Sequence, residues 1–282
     1  MPGKIEVFAP AKINLYLHIV GKRPDGFHEL ETLMAAISVG DVLHAELADA
    51  PGIVLTCDRA DLAVDPSNLV YRAADLFIQK YGLGGHAQGI RLHLEKKTPI
   101  GAGLGGGSSD GAHTLLALRT LTGIAAPDAE LEEIAGRLGS DVPFFITRKP
   151  SVCRGRGEII EPVPRWSEEV RGLLVHPGFG VSTPWAYKAY AQDPKQGEEG
   201  PAFAFGTLRN DLEPPVFSKY LWLPTAKAWL AARPGVRGAL MSGSGSSVFA
   251  LLEPGADAET LAAAFRAEFG EGMFAAPFEI LR

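Results

Sequence analysis

Pro99-Ile100-Gly101-Ala102-Gly103-Leu104-Gly105-Gly106-Gly107-Ser108-Ser109-Asp110 is the stretch on which the reading of the whole chain turns. Before it, Ile90, Leu92 and Leu94 alternate with Arg91, His93 and Glu95, the period of a half-buried strand. After it, Ala112 to Leu121 is rich in Ala and Leu, which are good helix formers. A glycine-rich turn between strand and helix leaves bare backbone N–H groups at a helix N-terminus, where they and the helix dipole favour a phosphate. A tight turn needs a glycine or two; five in positions 101–107, followed by Ser108 and Ser109, exceed that need. The stretch reads as an anion cradle.

Several common phosphate loops are excluded. A Walker A loop carries Gly-Lys-Ser/Thr where the helix opens, and no lysine follows Gly107. Gly101-Ala102-Gly103-Leu104-Gly105-Gly106 satisfies G-x-G-x-x-G, but it lies far from the N-terminus, and Leu121 to Asp128 does not read as the second parallel strand that would bring a ribose-binding acid. The H-R-D and D-F-G signatures of protein kinases are absent from the sequence.

At 282 residues the chain exceeds the usual single domain, so two domains sharing a cleft are expected. With 46% hydrophobic and 21% charged residues it has ample material for a core, and a formal net charge of −6 gives no nucleic-acid footprint. An anionic small-molecule substrate must then be met by a local positive site. Lys12, Asn14 and His18 interrupt the apolar N-terminal run, which reads as neither a signal peptide nor a membrane span. Cys57 and Cys153 form no disulfide framework and sit in no metal-ligand spacing, which points to reducing cytoplasm.

Along the chain, Lys4 to Phe8 reads as a short strand. In the segment that follows, Ile13, Leu15, Leu17 and Ile19 face one way while Lys12, Asn14, Tyr16 and His18 face the other. That polar face is either solvated or turned to a site, and residue types do not choose between the two. Gly21-Lys22-Arg23-Pro24-Asp25-Gly26 is a turn, followed at once by Phe27 and His28; a lone histidine there is more often structural, but the neighbouring ring suits a stacking pocket. Val42–Leu47 and Gly52–Cys57 extend the sheet, and Asp65 or Ser67 caps a helix running to about Tyr81. Asp128 caps a second helix with Leu131, Ile134, Ala135 and Leu138 on one stripe, ended by Gly139. Asp141 follows in strongly apolar company, before Val142-Pro143-Phe144-Phe145-Ile146; it either caps the next element or is a paired, functional acid, and the company favours the second.

Ser151–Val163 reads as strand, turn, strand and opens the second domain, so the expected division is 1–150 and 151–282. Leu173–His176 is a strand, and Ser182-Thr183-Pro184 starts a helix carrying Trp185, Tyr187 and Tyr190. Gln192 to Gly206 is a surface loop, Asn210-Asp211-Leu212-Glu213 precedes a helix over Tyr220 to Ala232, Asp257–Phe269 is a closing helix and Phe278–Leu281 a last strand. Between the strands Gly238–Met241 and Val248–Leu252, Ser242-Gly243-Ser244-Gly245-Ser246-Ser247 is too rich in Ser and Gly for a plain hairpin and suggests backbone held close to something.

Pro10–Leu15, Pro99–Asp110 and Met241–Gly245, in that order, resemble the three motifs of the superfamily of galactokinase, homoserine kinase, mevalonate kinase and phosphomevalonate kinase. Arg23–His28, Gly139–Phe145 and Asn210–Glu213 bring the resemblance closest to its 4-diphosphocytidyl-2-C-methyl-D-erythritol kinase branch, along most of the chain. The departures are small: that branch more often has Tyr where Phe27 stands, dropping a hydroxyl here, and Ala where Gly111 stands. The resemblance implies a two-domain α+β fold, with an N-terminal half like ribosomal protein S5 domain 2 and a ferredoxin-like C-terminal half. It implies transfer of the ATP γ-phosphoryl to the 2-hydroxyl of the methylerythritol portion. Lys12 and Asp141 are then catalytic, Asp141 accepting the hydroxyl proton and Lys12 orienting the hydroxyl. Pro99, Ile100, Gly101, Ala102, Gly103, Leu104, Gly105, Gly106, Gly107, Ser108 and Ser109 cradle ATP, with Asn68 and Lys96 toward its adenosine end. Asn14 and His28 contact the cytidine substrate, Phe27 and Tyr187 stack on its base, and Ser108 or Ser109 offers a hydroxyl to a phosphate oxygen or Mg²⁺, which is otherwise carried by ATP and water. The Ser-Gly loop at Ser242–Gly245 packs on the phosphate loop or approaches the substrate diphosphate.

Overall fold

Alternation in the first 48 residues produces two long strands, β1 (Lys4–Lys22) and β2 (His28–Ala48), joined by the Pro-Asp-Gly turn. The computed structural model of the chain describes residues 3–84, 87–166 and 169–282. Those residues group into two compact units that are not contiguous in sequence: unit 1 takes the described residues within Met1–Ala11, Gly40–Thr98 and Gly105–Arg148, and unit 2 those within Lys12–Val39, Pro99–Leu104 and Lys149–Arg282.

In unit 1 the second half of β2 pairs antiparallel with β4 (Gly89–Glu95), from Val42↔Glu95 to Ala48↔Gly89, and β3 (Gly52–Cys57) pairs parallel with β4. Leu43, Ala45, Leu55, Ile90, Leu92 and Leu94 point inward from these strands. Four helices complete the unit: α1 (Leu69–Tyr81), α2 (Gly106–Thr122), α3 (Asp128–Leu138) and α4 (Val142–Thr147). Helix α2 is the central one. It packs on α1, α3 and α4, and its buried residues include polar Ser109, Asp110, His113 and Thr114 as well as Leu115, Leu118 and Leu121. A Cβ at Gly111 would meet Leu69 at 3.4 Å, ordinary contact, so the alanine usual at this position in the resembling family fits.

In unit 2 the second half of β1 runs parallel to β10 (Arg209–Asn210), with Tyr16↔Arg209 and Leu17↔Asn210 in register. The first half of β2 pairs with β5 (Ser151–Gly155), and β5 with β6 (Ile159–Pro162). A separate antiparallel sheet has the order β11 (Val236–Met241), β12 (Val248–Leu252), β7 (Arg171–His176), β13 (Phe274–Glu279). Helices α5 (Thr183–Gln192), α6 (Glu213–Lys219) and α7 (Trp222–Ala231) fall between β7 and β11, and α8 (Ala258–Phe269) between β12 and β13. Sequence order β-α-β-β-α-β with this spatial order is the ferredoxin-like arrangement expected for the C-terminal half. Its core joins Leu173, Val175, Met241, Val248 and Ala250 of the sheet to Val216, Leu223, Leu230 and Phe265 of the helices.

Several local expectations change. The strand begun at Lys4 does not stop at Phe8 but continues through Pro10 as one strand. Asn68, not Asp65 or Ser67, caps α1, its side chain accepting from the Val70 N–H at 2.9 Å, because Asp65 Oδ1 is already taken by the N–H and hydroxyl of Ser67. Asp128 is inside α3, whose cap position is Pro127, and its carboxylate pairs with Arg119 instead. The loop expected over 192–206 contains β8 (Ala202–Phe203), paired with β9 (Gly206–Thr207), because Phe203 and Phe205 stack on each other at 5.0 Å and Phe205 on Trp166 at 5.3 Å. Helix α6 starts at Glu213, the last residue of the Asn-Asp-Leu-Glu segment, with its prolines in the first turn, where a missing N–H costs nothing. The last strand lies at Phe274–Glu279, earlier than expected: Pro277 is tolerated because β13 is an edge strand. Among the described residues, no helix is long and apolar enough to cross a membrane.

Candidate active site

The polar face of β1 is not solvated. Lys12 and Asn14 are 4% and 3% exposed, and the Lys12 ammonium donates to Asn14 Oδ1 at 2.6 Å and to the Gly103 carbonyl at 2.9 Å. Asn14 Nδ2 donates in turn to Thr32 Oγ1 at 2.8 Å, and that hydroxyl donates to the Tyr16 carbonyl at 2.5 Å. The Lys12 N–H reaches the Leu104 carbonyl at 2.9 Å, so β1 lies directly along the Pro99–Leu104 part of the glycine loop. Burying a lysine costs several kcal/mol unless its donors are met. Here a carbonyl and an amide oxygen take two of its three donors in fixed directions.

The second glycine-rich segment comes to the same place. Ser242 Oγ donates to the Gly103 carbonyl at 3.0 Å, and the Ser247 N–H to the Ala102 carbonyl at 3.1 Å. Gly103 has φ +76, and a Cβ there would sit 2.1 Å from the Ser242 carbonyl oxygen. No other residue fits both that φ and that approach. Of the two placements expected for the Ser-Gly loop, packing on the phosphate loop is the one seen. Ser244 and Thr183, a residue sequence reasoning passed over, share a hydroxyl contact of 2.8 Å.

In the same unit, the His28 ring stacks on Tyr187, with centroids 5.4 Å apart at 25°, and meets Tyr190 edge-on at 6.1 Å. Burial lowers the His28 pKa, and Lys22 adds to the effect, so its imidazole is held neutral. Phe27 is 53% exposed and carries the Arg156 guanidinium 4.9 Å above its ring. The structure thus brings His28 and Tyr187 together as one aromatic platform.

In unit 1, Gly105 at φ 65 opens α2, whose first turn contains no acid to compete for its N–H groups. Ser109 is spoken for internally: its N–H donates to the Gly105 carbonyl at 2.8 Å, and its buried hydroxyl lies 3.2 Å from His113 Nδ1. Ser108, half-buried, keeps its hydroxyl at the helix start. Asn68 spends its amide on the α1 cap and on the Ala63 carbonyl, 2.7 Å away. Asp141 stands at the cap position of α4 but makes no side-chain cap bond there; Val142, Pro143, Phe144, Phe145 and Ile146 beyond it are buried and fix the backbone that presents it. Among the described residues, no group of three or more His, Cys, Asp or Glu is placed to hold a metal ion.

Lys96, expected toward the adenosine end of ATP, has its ammonium tied into a buried ion cluster. Its ammonium is buried between Asp110, at 2.8 Å, and Asp41, and Asp41 Oδ1 also accepts the N–H groups of Lys97 and Thr98 at 2.7 and 2.8 Å. Burial alone would push the Lys96 pKa down, but Asp110 and Asp41 outweigh it and hold it above the ordinary value. Burial raises Asp110 to about 7 against the pull of Lys96. This cluster lies beneath the start of α2: a Cβ on Gly106 would come within 3.3 Å of Lys96 Nζ. Lys96 therefore supports the start of α2 from below. The sequence held one signal for Asp41, an acid inside the otherwise uncharged run Ile37–Leu43.

His113 is a second buried group that sequence reasoning missed. Its Nδ1–H donates to the Ser109 carbonyl at 2.9 Å, and burial lowers its pKa to about 4. An unfolded histidine titrates near 6.5, so this depressed folded pKa contributes stability above that value and gives it up as pH falls toward 4. A His113→Gln variant is expected to lose about 3 kcal/mol less than the wild type between pH 7 and pH 4. Denaturant unfolding across that range checks this; parallel pH profiles would contradict it.

The description "GHMP kinases N terminal domain" fits residues 68–149 and "GHMP kinases C terminal" fits residues 201–271. The chain is 49% identical over 249 residues to a 4-diphosphocytidyl-2-C-methyl-D-erythritol kinase of Methylacidiphilum infernorum, covering 88% of this chain and 86% of that one. It is 40% identical to the protein of that name from Geobacter sp. strain M21, covering 97% and 98%. A crystal structure of 4-(cytidine 5'-diphospho)-2C-methyl-D-erythritol kinase superposes with a TM-score of 0.81 at 36% identity, over 99% of this chain and all of that one. These likenesses agree with the α+β fold and its two family-specific halves, and the chain belongs to the 4-diphosphocytidyl-2-C-methyl-D-erythritol kinase family of GHMP kinases.

Proposed function

We propose that the chain transfers the γ-phosphoryl group of ATP to the 2-hydroxyl of 4-diphosphocytidyl-2-C-methyl-D-erythritol, a step of non-mevalonate isoprenoid precursor synthesis. The observation that carries this reading is the Lys12 ammonium, buried yet hydrogen-bonded to the carbonyl of Gly103 in the glycine loop. A buried cation fixed to a phosphate loop suits a reaction that spreads negative charge over a transferring phosphoryl group.

Such transfers need in-line positioning and charge stabilisation more than covalent chemistry. N–H groups of the glycine loop and of the first turn of α2 cradle the triphosphate. Lys12 holds the acceptor hydroxyl and the developing charge in place. Asp141 accepts the hydroxyl proton as a positioned general base. Ser108, at the start of α2, would offer a hydroxyl to Mg²⁺, which would supply charge neutralisation on the phosphate oxygens, with its other ligands from ATP and water. Asn14 orients the substrate through the amide it shares with Lys12 and Thr32. His28 and Tyr187 form the platform for cytosine, with Phe27 as the second stacking face.

Base–aromatic stacking is worth ~1–3 kcal/mol per base. Removing the cytidylyl portion, to leave 2-C-methyl-D-erythritol 4-phosphate, should therefore lower kcat/KM by roughly 10- to 100-fold. ADP release measured with both acceptors tests this. Equal kcat/KM for the two would remove the cytidine platform from the account.

A further inference from the structure

Asn210-Asp211-Leu212-Glu213 stands out in the sequence, yet the reaction scheme gives it no part. In the structure Asn210 is fully buried at the end of β10, beside the strand that carries Lys12 and Asn14. Its amide is used to capacity on its donor side. Nδ2 donates to the Met241 carbonyl at 2.8 Å and to the Gly243 carbonyl at 2.8 Å, while Oδ1 accepts the Leu212 N–H at 2.9 Å. Glu213 grips the same place, taking the Met241 N–H at 2.9 Å with one oxygen and Lys227 at 2.6 Å with the other. Asp211 faces elsewhere and ties the Ile19 and Gly197 N–H groups, both at 2.9 Å.

What Asn210 holds lies against Lys12. Gly243 has φ +57, and a Cβ on it would stand 3.2 Å from the Gly103 carbonyl, 3.3 Å from Asn14 Oδ1 and 3.4 Å from Lys12 Nζ. Gly243 is thus the wall of the small site in which the Lys12 ammonium meets Asn14 and Gly103, and the carbonyl of that wall is fixed by Asn210. Ser242, between the two clamped carbonyls, donates to the same Gly103 oxygen that receives Lys12. We infer that Asn210 is a positioning residue for phosphoryl transfer: through Met241 and Gly243 it fixes the Ser-Gly loop, and through that loop the place of the Lys12 ammonium. This rests on the reading in which Lys12 serves the transfer. Displacement of a reacting group by about 1 Å can cost on the order of 100-fold in rate, so a residue that never touches substrate can still matter this much.

The test compares wild type, Asn210→Ala, Lys12→Ala and the double variant. Asn210→Ala is expected to lower kcat about 10-fold, with KM for both substrates within about 3-fold of wild type. In the Lys12→Ala background the same change should alter kcat less than about 2-fold, because the group it positions is gone. A second readout needs no substrate. Acylation of lysines by a water-soluble reagent, followed by mass spectrometry, should show Lys12 labelled at least about 5-fold faster in Asn210→Ala, while Lys96, equally buried, keeps its wild-type rate. Losses that multiply in the double variant, or labelling of Lys12 that stays slow or rises together with Lys96, would overturn the inference. If Asn210→Ala does not accumulate as folded protein, Asn210→Ser, which keeps one hydroxyl donor, carries the same measurements. Should the wild type release no ADP with the cytidine substrate, the functional reading alone fails, and the labelling still decides whether Asn210 holds Lys12.

Discussion

Asp141→Asn is expected to lower kcat by about 10²- to 10⁴-fold, the usual contribution of a positioned general base. The substitution keeps size and shape, and removes the negative charge and with it the capacity to take a proton. Two features of α4 make it a clean test. Asp141 occupies the cap position without a side-chain cap bond, so no helix-capping energy is lost with the charge. The backbone that presents it is held by buried Phe144, Phe145 and Ile146, which the variant leaves in place. The variant should therefore still accumulate as folded protein while turnover collapses. ADP release under saturating substrates, alongside a thermal melt, measures both. A near-normal kcat would mean that Asp141 is not the base; a fall in kcat matched by loss of folded protein would make it structural.

The second large effect concerns Lys96, and it is on stability. Lys96→Met leaves the Asp41 and Asp110 carboxylates buried without their cation, and removing one member of a buried ionic cluster typically costs 3–5 kcal/mol, or roughly 10 °C in melting temperature here. Because burial already raises Asp110 to about 7, the loss should be smaller in acid, where that group is protonated and neutral. The sign follows from linkage. A carboxyl whose folded pKa lies above its unfolded value adds stability below the unfolded pKa, and that stability is lost as pH rises through the folded one. Adding Asp110→Asn to Lys96→Met should restore part of the lost stability by removing one of the stranded charges. Thermal melts of the single and double variants between about pH 5 and pH 8 test this. A Lys96→Met protein with a wild-type melt and a raised KM for ATP would instead return Lys96 to the nucleotide.

The glycine loop, the strand before it and the helix after it were legible because each depends on local chemistry: alternation, Ala and Leu content, and glycines beyond any turn's need. Elements of the C-terminal half were legible for the same reason, in Leu173–His176, Val248–Leu252 and the closing helix, while their ferredoxin-like arrangement was implied only by the family resemblance. What escaped was set by distant partners. Whether Lys12 and Asn14 face water or a site depends on where Gly103 and Thr32 come to lie, and no period within β1 records that. That the Lys96 ammonium is buried between two carboxylates was not legible, because Asp41 is 55 residues away in sequence yet closes the cluster under α2. Cap assignments failed where two candidates competed, as when Ser67 took Asp65 and left the end of α1 to Asn68. The Asn210 motif could be recognised as a pattern, but its purpose was visible only once the Met241 and Gly243 carbonyls were seen at its amide.

The central claim is the identity of the acceptor, and one measurement addresses it most directly. The purified chain is given Mg-ATP with 4-diphosphocytidyl-2-C-methyl-D-erythritol, homoserine, mevalonate and galactose in separate reactions, and the products are examined by mass spectrometry and phosphorus NMR. The account predicts turnover of the cytidine compound alone, with one phosphoryl group added at its 2-hydroxyl. Phosphorylation of another acceptor at comparable kcat/KM, or no transfer to the cytidine compound, would contradict it.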